Sequence, residues 1–164
     1  MVSLHDPHAR PIAKGRTDRP IEFGYKGQVV DNEDGIVLDH TVEEGNPADA
    51  NQLAHAIHRI QQRTGKVPRA VAADHGYGEL GVKTVAIPRK GTTSADRRQH
   101  EQRPAFRKFV KWRTGCEGRI SHLKHHYGWA RTGLDGLTGS RIWCGHGVFA
   151  HNLVKITTLA AAQP

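Results

Sequence analysis

The stretch FGYKGQVVDNEDGIVLDHTV (residues 23–42) decides how this chain begins to fold. Two β-rich runs, Phe23 to Val30 and Ile36 to Val42, flank the segment DNEDG at residues 31–35. The Asp-Gly pair that ends this segment supplies the positive φ that a hairpin turn needs. The pattern therefore predicts a β-hairpin.

A helix is expected after the hairpin. Asn46-Pro47, followed by Asp49, is typical of a helix start, with Pro at the first helical position and an acid in the first turn. Apolar residues then recur at helical spacing at Leu53, Ile57 and Ile60. Gly65 is predicted to end this amphipathic helix.

Two short runs that are predicted to form strands follow, Ala70 to Ala73 and Thr84 to Ile87. The first is wholly apolar, which is typical of a strand that is buried on both faces. Asp74 stands at the carboxyl end of the first run, where ligand sites gather in open α/β sheets and where a carboxylate can hold a hard cation. The alternative is an aspartate that only caps the turn.

The second half of the chain is predicted to be helical. Residues 94–127 are charged and helix-compatible, and Pro104, Gly115 and Gly118 are expected to divide them into pieces. A last helix within residues 143–159 is expected to pack through Phe149, Leu153 and Ile156. The order of elements predicts an α/β fold, a small mixed sheet flanked by helices.

Charge is distributed unevenly along the 164 residues, a length that suits one domain. The net charge is +8, but residues 81–131 alone carry thirteen Lys and Arg against three Asp and Glu, whereas the first eighty residues are slightly acidic. Such asymmetry indicates a nucleic-acid-binding face, and a solvated basic helix is the alternative. No apolar stretch suits a membrane span or a secretory signal, so we expect a cytoplasmic protein.

Arg113, Glu117 and Lys124 form the second candidate site, because their spacing of i, i+4 and i+11 places them on one face of a helix. Two cations then flank one acid, as they also would in a surface ion-pair ladder.

The run from Trp112 to Gly128 resembles the glutamate-bearing helix of DDE-type insertion-sequence transposases, in which Arg, Glu and Lys are separated by three and six residues. Further segments look like the same family and occur in its order. They are Phe23-Gly24-Tyr25-Lys26, Asn46 with Asp49, Ala73-Asp74-His75-Gly76-Tyr77, Ile87-Pro88-Arg89-Lys90-Gly91 and Asn152-Leu153. The series spans nearly the whole chain.

The resemblance implies an RNase H-like fold in which three carboxylates hold two divalent cations, Mg²⁺ or Mn²⁺, for DNA cleavage and strand transfer. Asp74 and Glu117 match the second and third of these catalytic metal ligands. The residues expected to contact DNA are cationic, namely Arg89, Lys90, Arg113, Arg119 and Lys124. The implied partners are transposon ends and target DNA, and a homo-oligomer is compatible with the family.

Two departures from the family pattern are expected to matter. The first catalytic aspartate belongs on a strand upstream of the hairpin, and Asp6 lies in a Pro-flanked arm, so we do not assign it that role. By comparison with the family pattern, we also expect about a dozen residues to be missing after Glu79. We therefore interpret residues 1–20 as an extended arm or loop and residues 21–164 as a partial, N-terminally truncated RNase H-like domain that lacks its first strand and is inactive alone.

Three other functions remain open. One is a non-catalytic basic DNA-binding or interaction fragment, and another is a stand-alone nuclease, which would lack the same aspartate. A zinc site is a third, since His122 and His126 are spaced i, i+4 with Cys116, Cys144 and His146 nearby in sequence, although no closely paired cysteines support it. The two cysteines are interpreted as ordinary thiols.

Overall fold

The computed structural model describes residues 3–13, 17, 20–47, 52–73, 84–86 and 94–162. The chain divides into two compact units, residues 1–47 with 119–164, and residues 48–118. The described residues form five strands and four helices. This mixed α/β composition agrees with the predicted fold class and is consistent with an RNase H-like fold.

An antiparallel sheet of three strands forms the base of the first unit. Its order is β1 (Arg10–Ala13), β2 (Ile21–Asp31) and β3 (Val37–Glu44). The predicted hairpin is confirmed as β2 and β3, with one register shift between Val30 and Asp31. In the turn, Asn32 Oδ1 accepts hydrogen bonds from the backbone N–H groups of Asp34 and Ile36, at 3.1 Å and 2.9 Å. Gly35 has the positive φ, 79°, that was expected of the Asp-Gly pair.

Strand β1 lies inside the segment that was interpreted as an extended arm or loop. It pairs with β2 from Arg10 opposite Gly24 to Ala13 opposite Ile21. A four-residue edge strand with a proline carries little pattern of its own, and edge strands are where proline is tolerated. Its pairing is set by the neighbouring strand, so residues 10–13 by themselves did not predict it.

Helix α4 (Gly136–Ala161) packs against β3. Asn152 Oδ1 accepts the N–H of Val37 and Asn152 Nδ2 donates to the carbonyl of Val37, both at 2.9 Å. Arg141 Nε donates to the carbonyl of Val42 at 3.0 Å, near the other end of β3. Three side-chain hydrogen bonds therefore tie the helix to both ends of one strand.

The packing face predicted for this last helix was wrong. Phe149, Leu153 and Ile156 are 64%, 48% and 50% exposed. The buried face instead carries mostly small residues, namely Ser140, Cys144, Gly147, Val148 and His151. A Cβ at Gly147 would lie 2.4 Å from the carbonyl oxygen of Tyr127, so close packing needs a residue without a side chain here. Helical spacing alone could not distinguish the two faces.

Helix α3 (Pro104–His126) is continuous over 23 residues. Pro104 is its first residue and separates it from α2 (Ala95–Gln102), as expected. Gly115 and Gly118 lie inside α3 without ending it, contrary to the prediction that they divide it. Each glycine costs about 1 kcal/mol relative to alanine in a helix, and a long helix can accommodate this cost.

The second unit contains α1 (Gln52–Thr64), α2, the first part of α3, and the strands β4 (Ala70–Ala72) and β5 (Thr84–Ala86). Helix α1 buries Leu53, Ala56 and Ile60, and Gly65 follows it with a φ of 69°. The predicted start at Pro47 was too early, because Pro47 is not helical and its carbonyl accepts a hydrogen bond from Lys26 Nζ at 2.7 Å. Both predicted strands form, and they pair in parallel. The prediction that the first is buried on both faces was wrong, because Ala70–Ala72 are only half-buried. Among the described helices, none is long and apolar enough to cross a membrane.

Candidate active site and its surroundings

The first predicted metal ligand, Asp74, comes two residues after the end of β4 in the sequence. Ala73, which follows β4, is buried. In parallel pairing the carboxyl ends of β4 and β5 lie at the same edge of this pair. Asp74 itself lies outside the described residues, as do Arg89 and Lys90. Their roles as metal ligand and DNA contacts therefore remain predictions.

Helix α3 carries the second predicted ligand. Because the helix is unbroken from Pro104 to His126, Arg113, Glu117 and Lys124 originate from one face of a single helix. Lys124 is exposed in the last turn, whereas the side chains of Arg113 and Glu117 lie outside the described part of the structure. The prediction that these three positions lie on one helix is confirmed. The pairing of Glu117 with Asp74 stays a prediction.

The chemistry of these two residues fits a divalent cation. Both offer carboxylate oxygens, the donors that Mg²⁺ and Mn²⁺ prefer. Within the described residues, no group of three His, Cys, Asp or Glu side chains is arranged to hold a metal ion. The zinc hypothesis therefore has no complete ligand set in that part of the chain.

Arg119, predicted to contact DNA, forms an ion pair inside the first unit. Its Nε donates to Asp31 Oδ2 at 2.8 Å, and the two side chains are 22% and 4% exposed. A Cβ at Gly35 would lie 2.6 Å from Arg119 Nη2, so the hairpin turn also closes over the guanidinium. Arg119 joins α3 to the hairpin, and contact with DNA remains a further, untested role.

Asp6 has a structural role that the sequence did not reveal. Its Oδ2 accepts hydrogen bonds from the Tyr25 hydroxyl at 2.7 Å and from Gly136 N–H at 3.2 Å, and its Oδ1 accepts His8 N–H at 2.9 Å. These bonds, the one from Tyr25 foremost, lower the pKa of Asp6 below its ordinary value. The aspartate thereby connects the N-terminal segment to β2 and to the start of α4.

A cluster of histidines at the end of α3 was also only partly foreseen. The ring of His122 lies 4.7 Å from that of His126 and 5.6 Å from that of His151 on α4, measured between centroids. The i, i+4 spacing indicated the first pair. His151 joins them only through the packing of α4, and no local pattern could have indicated it.

Cationic side chains occupy the surface of α2 and the first half of α3. Arg97 is paired with Glu101 at 2.9 Å within α2. Five other cations between residues 98 and 111 are exposed: Arg98, Arg103, Arg107, Lys108 and Lys111. A surface with this concentration of exposed positive charge is suited to binding a polyanion.

Comparison with known proteins adds one finding. A family model described as transposase DDE domain matches residues 2–153. The chain has no significant match to a curated protein or to a solved structure.

Proposed function

This chain belongs to the transposase DDE domain family, and from that premise we propose that its residues supply part of the site for metal-dependent cleavage and strand transfer of insertion-sequence DNA, an activity that the chain alone does not complete. A role in DNA transposition in general follows from the family. The proposal adds which residues of this chain carry the chemistry. The single observation that supports it most is the family match over residues 2–153, which contains both predicted carboxylates.

In the proposed mechanism Asp74 and Glu117 hold divalent cations, Mg²⁺ or Mn²⁺, through carboxylate oxygens. When bound, two such cations would supply the activation of a water or a 3′-hydroxyl and the stabilisation of the leaving oxygen in an in-line displacement at a phosphodiester. Arg113 and Lys124 come from the same face of α3 as Glu117. They are therefore suited to contact the phosphate next to the site of cleavage without reading bases.

The exposed cations of α2 and α3 are proposed to hold the DNA away from the reacting phosphate. Residues 98–111 carry five of them, and each phosphate that a cation neutralises releases condensed counterions. This contribution needs no metal ion.

Metal-directed backbone cleavage would test the proposed ligands independently of transposition. Fe²⁺ substituted for Mg²⁺ reduces added hydrogen peroxide to hydroxide and a hydroxyl radical, ascorbate returns the Fe³⁺ to Fe²⁺, and the radicals cut the polypeptide next to the bound ion. We expect cuts near residues 74 and 117, and their loss in Asp74→Asn and Glu117→Gln. Glu33→Gln, at an exposed glutamate of the hairpin turn, is the matched control and should keep the wild-type pattern. Cuts that persist in both ligand variants would overturn the assignment.

A second function, a DNA-binding module without catalysis, is favoured by the same exposed cations. Such a module would bind DNA in a salt-dependent manner without Mg²⁺ and would keep its affinity in Glu117→Ala. In the catalytic proposal, Mg²⁺ strengthens binding to cleaved transposon ends, and Glu117→Ala abolishes that increase. Titrating both proteins with and without Mg²⁺ distinguishes the two functions.

A further inference from the structure

The first unit contains an open pocket at the end of α3, where that helix meets α4. Its volume is about 260 Å³. The lining residues are Arg119, His122, Tyr127, His151, Val154 and Lys155. Among the described residues, two permanent cations and two histidines line this pocket, and no acidic residue does.

We propose that this pocket binds a phosphate group, a tetrahedral oxyanion held between Arg119 and Lys155. Phosphate is bound by arginine through several N–H donors and by lysine as a point charge. Arg119 donates its Nε–H to Asp31, and the guanidinium carries four further N–H donors. Because that ion pair holds the arginine in place, little conformational entropy is lost when an anion binds.

The histidines make the site responsive to protons. His151 is buried, and its Nε2 lies 3.0 Å from the carbonyl oxygen of Gly35. Since a carbonyl only accepts hydrogen bonds, this contact assigns the proton of His151 to Nε2. His151 thereby has a fixed ring orientation next to His122.

The pKa of His122 lies below its ordinary value. Partial desolvation of this exposed ring lowers the pKa, and the neighbouring charges of His126, His151, Arg119 and Lys155 lower it further. Tyr127 also lies against its ring, at 5.4 Å between centroids. An anion would offset these cations, so its binding is coupled to proton uptake by His122.

The described residues that line the pocket lie between positions 119 and 155, on α3, on α4 and at Tyr127, which directly follows α3. A phosphate group can reach it as free inorganic phosphate or as part of a DNA backbone, and both have the chemistry that the pocket recognises.

Sulfate titration in metal-free buffer tests the proposal. Sulfate is the probe because its charge stays the same between pH 6 and pH 8, whereas the charge of phosphate changes over that range. Imidazole proton resonances of His122 and His151 report binding in the full chain. We expect saturable shifts of both, and affinity at least about fivefold higher near pH 6 than near pH 8, because proton uptake is coupled to binding. Shifts that rise linearly without saturating would show an adventitious ion only and would overturn the site.

Variants distinguish specific binding of the anion in the pocket from nonspecific attraction to the positive charge of the protein. Lys155→Gln should weaken sulfate binding at least about fivefold, whereas Lys155→Arg should retain it. His122→Gln should remove most of the pH dependence, read from His151. Arg131→Gln removes an exposed charge that does not line the pocket and should match the wild type. Equal losses in Arg131→Gln and Lys155→Gln would contradict the proposal.

A DNA duplex added to the sulfate-saturated protein identifies the natural source of the phosphate group. If the duplex displaces sulfate, the pocket binds a backbone phosphate. If the His122 and His151 resonances stay at their sulfate-bound positions while the duplex binds, the pocket is a site for a free anion. Failure of sulfate to bind would not affect the transposition proposal, because the assay contains no metal ion and leaves Asp74 and Glu117 unchanged.

Discussion

Arg119 donates its Nε–H to Asp31 at 2.8 Å, and this bond joins the last turns of α3 to the end of β2 across 88 residues of sequence. The Asp31 side chain is 4% exposed, so the loss of this ion pair would remove a charged hydrogen bond from a buried carboxylate. Arg119→Gln should therefore lower the free energy of unfolding by roughly 3 kcal/mol, at the lower end for a buried pair because Arg119 keeps about a fifth of its surface exposed.

Chemical denaturation of Arg119→Gln, Asp31→Asn and the double variant measures this pair. Removing both partners should cost less than the sum of the single changes, because the bond between the two side chains is lost in each single variant and is counted only once in the double variant. Strict additivity would show that the two side chains are not coupled.

Replacing the glycines inside α3 tests whether the fold needs them. A Cβ at Gly115 or Gly118 would meet nothing within 4 Å, so neither is required for packing within the described chain. Gly115→Ala and Gly118→Ala should each stabilise the helix by about 1 kcal/mol and raise the melting temperature by about 2–4 °C. Calorimetry measures the shift. A lower melting temperature in either variant would mean that the glycine is needed for the fold.

Salt dependence of DNA binding tests the cationic surface of α3. Arg107 and Lys111 are exposed, and each phosphate contact that is lost should reduce the slope of log Kd against log salt by about 1. Arg107→Gln with Lys111→Gln should therefore lower the slope by about 2, as measured by fluorescence anisotropy. Lys66→Gln, an exposed charge after α1, serves as control, and an equal reduction there would argue against a defined DNA-binding face.

The pKa of His122 predicts how stability changes with pH. Its pKa in the folded protein lies below the ordinary value of 6.5, so the folded state binds fewer protons than the unfolded state. The contribution of neutral His122 to the free energy of unfolding is complete above about pH 6.5 and is lost as the pH falls through the folded-state pKa of His122. His122→Gln should flatten the fall in melting temperature below about pH 6.5 in sulfate-free buffer. Parallel pH profiles for the variant and the wild type would contradict this assignment.

Strand transfer by the isolated chain is expected to be absent. Only two carboxylates of the catalytic set are assigned, and Asp6 is engaged in three hydrogen bonds with backbone and Tyr25. A Mg²⁺-dependent joining assay with purified protein, compared with Asp74→Ala, measures this. Joining by the wild type that Asp74→Ala abolishes would show that the chain is active alone.

Much of the local structure follows from the sequence alone. Alternating β-rich residues and the Asp-Gly pair predicted the β2–β3 hairpin, and apolar runs after Pro68 and before Pro88 predicted β4 and β5. The same holds for the body of α1, the division at Pro104 and the clustered positive charge. Each of these depends on neighbours within a few residues, where propensity and periodicity act. The ordered motifs also identified the family.

Tertiary structure decided those features that depend on contacts between residues far apart in the sequence. Strand β1 forms because β2 lies beside it, and α4 buries Ser140 and Gly147 instead of Phe149 because close approach to neighbouring backbone favours small residues. Asp6 meets Tyr25, and His151 meets His122, only after the chain folds. The physical reason is that such contacts join residues far apart in sequence, and a periodic pattern states which face of a helix is apolar but not what it will touch.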